Sequence, residues 1–109
     1  MTENEEQAHV YATGDIVSYS WGYEQTNIDF YKVIARKGDF CALRKLKANS
    51  THDAQSMTGT TMPREEFADE KTIRRKVHRR DGKESGFAIE HYGWASLWDG
   101  KPEHYSTYS

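Results

Sequence analysis

The sequence predicts a mostly β domain: a small SH3-like barrel or strongly bent antiparallel sheet of five or six strands, with at most one short helix. Three observations carry that prediction. Short runs of β-branched and aromatic residues recur along the chain, turn-forming glycines separate them, and no stretch keeps the 3.6-residue apolar period of a long helix. Only 36% of the 109 residues are apolar, but three Trp, seven Tyr and four Phe offset this, because each ring can bury about 150–250 Å². The expectation is a small, ring-rich core under a very polar surface.

Taken in order, residues 1–8 (MTENEEQA) are acidic and aperiodic and predict a disordered arm, leaving residues 9–109 as a single domain. Thr13-Gly14-Asp15 is a turn, and Ile16 to Trp21 follows as a strand. Alternation puts Val17, Tyr19 and Trp21 on one of its faces. Ile28 to Ala35 is a second strand, Lys37-Gly38-Asp39 a turn, and Phe40 to Leu46 a third strand returning as a hairpin. Asn49 to Thr61 is rich in Ser, Thr and Gly and reads as a loop. Met62-Pro63-Arg64-Glu65-Glu66 offers the one start for a helix, of one or two turns, with proline in the first position and acids near the positive end.

A second hairpin joins Ile73–Arg79 to Ser85–His91 around Asp81-Gly82. A two-residue loop would place Arg80 opposite Lys83 and split Val77 from Phe87 and Ile89 across the two faces. A loop one residue longer pairs Arg80 with Glu84, Val77 with Phe87, Arg75 with Ile89 and Arg74 with Glu90. Burial sets register wherever one face is inside, so the longer loop is the expected one. Trp98-Asp99-Gly100-Lys101-Pro102 is a final turn before a polar, aromatic tail.

The net charge of −2 conceals segregation: residues 71–83 carry seven bases against one acid, whereas residues 1–39 carry three bases against seven acids. One basic patch inside an acidic chain argues against a strong nonspecific DNA binder. No apolar run approaches the ~20 residues of a membrane-spanning helix, and no leader is evident. A single cysteine excludes an internal disulfide and fits the cytoplasm.

Chemistry is sparse. Cys41 sits between Phe40 and Ala42 in a strand and reads as inert core. The five histidines lack zinc-site spacing, and no phosphate loop, nucleophile elbow or dinucleotide fingerprint is present. The expectation is therefore no enzyme, no metal and no cofactor. Two binding surfaces stand out instead. The polar, aromatic connection after Trp21 offers Tyr23, Glu24, Gln25 and Asn27 for directed hydrogen bonds and an anchor ring. The basic hairpin offers Lys76, His78, Arg79 and Lys83 for electrostatic attraction.

Ser20 to Tyr31 (SWGYEQTNIDFY) and Leu97 to Pro102 (LWDGKP) resemble a family of short, mostly uncharacterised accessory proteins carried by phages, plasmids and other mobile bacterial DNA. The looser stretches Gly59 to Pro63 and Arg74 to Val77 extend the resemblance over most of residues 14–108. It implies a mobile-element protein that engages a host or phage macromolecule, with inhibition of a host defence protein as the expected role. The alternative is a single-stranded nucleic-acid binder using the basic hairpin, with Tyr92, Trp94 and Trp98 as stacking rings.

Overall fold

The computed structural model describes residues 10–22, 27–53, 58–89 and 93–106. Among them every regular element is a strand: β1 (Ile16–Trp21), β2 (Asn27–Lys37), β3 (Phe40–Asp53), β4 (Thr58–Lys76), β5 (His78–Arg80), β6 (Lys83–Gly86), β7 (Gly93–Leu97) and β8 (Glu103–Ser106). Six form one antiparallel sheet in the order β7-β1-β2-β3-β4-β8, and β5 pairs with β6 in a second. The expected all-β, strongly bent sheet is what forms. The arm at residues 1–8 lies outside the described residues.

The two outer strands show why the sheet bends. β7 and β8 sit at opposite edges, yet only Trp98 to Pro102 separates them in sequence. Six flat strands would hold their outer members about 24 Å apart. Six peptide steps reach about 20–22 Å at full stretch, and this link is folded. The Trp98 indole donates to the Lys101 carbonyl at 2.7 Å, and the Lys101 amide donates to the Asp99 carboxylate at 2.9 Å. The edges must approach each other, and the sheet curls into a half-barrel.

Burial follows strand alternation. Val17 and Tyr19 (β1), Val33 (β2), Cys41 and Leu43 (β3) and Ala95 (β7) face one core, capped by Tyr11, Val77, Phe87 and Ile89. The Tyr11 ring meets Phe87 edge-on at 5.0 Å, and its hydroxyl accepts the Leu97 amide at 3.0 Å. Phe30 and Leu46 are opposite each other on the reverse face, where Trp98 covers Phe30 at 6.0 Å. The link between the edge strands thus seals a second, smaller apolar cluster.

Three expectations need correction. Residues 49–61 are not a loop where described: Asn49, Ser50 and Thr51 pair with Met62, Thr61 and Thr60. Their hydroxyls bond across the strands, Ser50 to Thr61 at 2.9 Å and Thr51 to Thr60 at 2.8 Å. Polar β-branched residues suit a ladder, and only their lack of apolar alternation disguised it. The segment 62–70 is not helical either, because it lies within β4. Arg64, Glu65 and Glu66 stand against Lys47 alone, and residues 68–71 against Lys45 alone, so the surplus bulges out of the ladder. Glu65 and Glu66 reach across the sheet to Lys32 (3.2 Å) and Lys47 (2.9 Å) rather than capping a helix. Proline is compatible with such a bulge.

The third correction is the hairpin register. Arg80 is opposite Lys83, and Arg79 rather than Arg80 is opposite Glu84. Asp81 (φ 56°) and Gly82 (φ 80°) are both left-handed, the two-residue geometry whose twist matches a hairpin. The slip that burial requires enters one step later, where a bulge at Ser85 places His78 opposite Gly86. Val77 and Phe87 then both reach the core. The proposed Arg74–Glu90 pair lies outside the described residues.

Candidate functional site

The structure separates the sequence-predicted basic residues. Lys76 ends β4 opposite Phe40. His78 packs edge-on against Trp94, ring centres 5.3 Å apart. Lys83 stands at the exposed tip of the small hairpin, across from Arg80. Arg79 donates to the Asp39 carboxylate at 2.9 Å and to Glu84 at 3.2 Å, holding Asp39 below the usual carboxylate range. Of the polar connection, Asn27 opens β2 opposite Trp21, while Tyr23, Glu24 and Gln25 lie outside the described residues.

Arg79 belongs to a structural network. Glu84, its side chain 8% exposed, receives both arms of the Arg36 guanidinium at 2.7 Å and the Tyr11 amide at 3.0 Å. Arg36 also donates to the carbonyls of Tyr11 (2.8 Å) and Gly38 (3.0 Å). These bonds fasten β6 and the segment before β1 to the main sheet. The Arg36 hydrogen bonds, more than burial opposes, bring the Glu84 carboxyl down to about 2.

A different set of cations comes together on the open half of the reverse face. Ala35 is opposite Ala42 and Lys37 opposite Phe40; on the far side of β3, Ala42 is opposite Arg74 and Phe40 opposite Lys76. Directly opposed residues in an antiparallel sheet project to the same side, so three strands present Lys37, Phe40, Arg74 and Lys76 together. The two alanines leave a depression between these larger side chains. The resulting groove is about 400 Å³, lined by Ala35, Lys37, Phe40, Ala42 and Arg74 among others. Phe40 is 45% exposed. Among the described residues, no carboxylate lies within salt-bridge distance of Lys37, Arg74 or Lys76, although the Lys76 charge reaches Asp39. Farther along, the Arg44 guanidinium lies over the Phe67 ring at 4.9 Å.

Sequence reasoning placed Arg74 beside Lys76 by alternation but set it aside as the partner of Glu90, and it missed Lys37 and Phe40 as their companions. The signal was Gly38-Asp39 as a two-residue turn, which sets Lys37 against Phe40. The bulge between Val33 and Ala35 hid it, because alternation read along β2 changes face there.

The reactive side chains nearest to catalytic chemistry, Cys41, Asp29 and Asp99, are engaged in structure. Cys41 is fully buried, and that burial raises its thiol pKa despite the opposing influence of Arg36. The Asp29 carboxylate accepts the Trp21 indole at 2.9 Å, and Asp99 closes its own turn. Among the described residues, no group of three or more His, Cys, Asp or Glu is placed to hold a metal ion, and no helix is long and apolar enough to cross a membrane. No family model, curated protein or solved structure matches the chain.

Proposed function

We propose that this chain is a non-catalytic cytoplasmic binding module of mobile-element origin. In this reading, the open cationic face grips an acidic surface of a host or phage protein, acting as an inhibitor of a host defence protein. The observation that carries it is the convergence of Lys37, Arg74 and Lys76 around the exposed Phe40. An apolar anchor within a cationic rim is the composition of a protein-recognition surface with electrostatic steering. The resemblance to accessory proteins of mobile elements supplies the class of target. Single-stranded nucleic acid is the second reading, favoured by the same cations. Against it, the rings it would use do not form an open succession: Trp98 packs on Phe30, and Trp94, though 40% exposed, has His78 edge-on to it. Base stacking normally draws on a succession of open rings.

The test is capture of host proteins by the tagged chain and by a Lys37→Glu, Arg74→Glu, Lys76→Glu variant with an unchanged circular dichroism spectrum. A stoichiometric protein retained by the parent and lost by the variant is the expected result. Equal retention by both would overturn the assignment of this face. A parallel oligonucleotide titration should show no salt-sensitive binding; steep weakening with salt would transfer the face to the second reading.

A further inference from the structure

The SWGYEQTNIDFY stretch leaves a feature that the cationic face does not use. Trp21, Asn27, Ile28 and Asp29 line a small cavity of about 220 Å³ together with Ser50 and Thr61 from the β3–β4 hairpin. We propose that this cavity binds one neutral pyranose ring, stacked on Trp21 and hydrogen-bonded by Asn27, Ser50 and Thr61.

The indole is a fixed plate. Its N–H donates to Asp29 at 2.9 Å, and the ring stacks on Tyr19 with centroids 6.4 Å apart and planes inclined by 22°. Its rotamer is therefore held, yet 40% of the residue stays exposed. Polar groups border it. The Asn27 amide offers both a donor and an acceptor. Ser50 donates to Thr61 at 2.9 Å, leaving lone pairs on Ser50 and the Thr61 proton unused by that bond. Thr61 is itself only 3% exposed.

Charge selects the ligand class. The Asp29 carboxylate repels a phosphate, while its bond from the indole and Lys45 at 3.6 Å already answer its charge, so a cation gains little there. A neutral molecule with one apolar face and a hydroxyl-bearing edge matches what remains. The volume lies below the range for drug-sized ligands, so one ring fits and an extended oligosaccharide does not. Tyr19 occupies one side of the indole, and a pyranose needs only the other.

The test uses ¹H–¹⁵N NMR of the full chain, with the Trp21 indole resonance assigned through Trp21→Phe. The probes are methyl glucopyranoside, methyl galactopyranoside and N-acetylglucosamine, with uridine and adenosine as nucleoside arms. Saturable movement of the Trp21 indole and Asn27 amide signals by at least one pyranoside, in the millimolar range, is expected. Asn27→Ala, with its backbone spectrum preserved, should weaken that binding at least tenfold. Silence with every pyranoside, movement by nucleosides alone, or binding unchanged in Asn27→Ala would each overturn the proposal. None of these outcomes bears on the cationic face.

Discussion

Replacing Glu84 with Gln removes the negative charge, and one of the two acceptor oxygens, on which three elements converge while keeping the side chain's size. In the folded protein the Glu84 carboxyl titrates at about 2 instead of 4.5. At about 1.4 kcal/mol per pH unit, that difference corresponds to about 3 kcal/mol of stability. The magnitude is consistent with a side chain 8% exposed and doubly bonded to Arg36, since breaking a buried pair typically costs about 3–5 kcal/mol. The sign follows from the direction. A depressed carboxylate stabilises the fold above its unfolded value of 4.5, and the contribution fades as pH falls through about 2. Urea unfolding followed by tryptophan fluorescence at pH 7 should place Glu84→Gln about 3 kcal/mol below the parent. At pH 3 the gap should narrow by about 2 kcal/mol, because the parent has by then lost most of the same contribution. Exposed carboxylates such as Glu66 titrate in both proteins and largely cancel in the difference. A gap that stays constant between pH 7 and pH 3, or a variant as stable as the parent, would refute the reasoning. Arg36→Met added to Glu84→Leu should recover much of the loss, because an apolar pair leaves no buried charge without its partner.

Three further outcomes are expected. Gly86→Ala should destabilise by about 3 kcal/mol or more in thermal melts: φ there is +141°, and a Cβ would run into the Ala95 carbonyl oxygen, a backbone atom that cannot swing aside. Charge reversal at Lys37, Arg74 and Lys76 should abolish partner capture while changing stability by about 1 kcal/mol or less in denaturant titrations, since surface substitutions cost little. The Cys41 thiol, fully buried and with its pKa raised by that burial, should react with Ellman's reagent only in step with unfolding by urea; rapid labelling of the native protein at pH 8 would contradict the buried placement.

The all-β class was legible because alternation within Ile16–Trp21 and the turn residues at 13–15, 38–39 and 81–82 are local signals. Such signals act over a few residues and need no knowledge of what lies opposite. So were the core roles of Val17, Tyr19 and Cys41. The Thr-rich arms of the β3–β4 hairpin were hidden by polarity, and the acidic run after Pro63 imitated a helix start, because both depend on a neighbouring strand to satisfy their hydroxyls and carboxylates.

Register, and with it the site, belonged to the tertiary structure. Chain order gathers Lys76, His78, Arg79 and Lys83 within eight positions, yet strand pairing sends Arg79 to Asp39 and Glu84 and gives Lys76 the company of Phe40 and Lys37. A bulge with an odd number of extra residues, such as those at Ile34 and Ser85, reverses which side of the sheet the following residues occupy, so an error of one position exchanges core for surface. The amino-acid order by itself determined that short strands would close around a few rings. Which cations meet on one face was decided only when those strands were laid side by side, because charge proximity across a sheet depends on pairing rather than on distance along the chain.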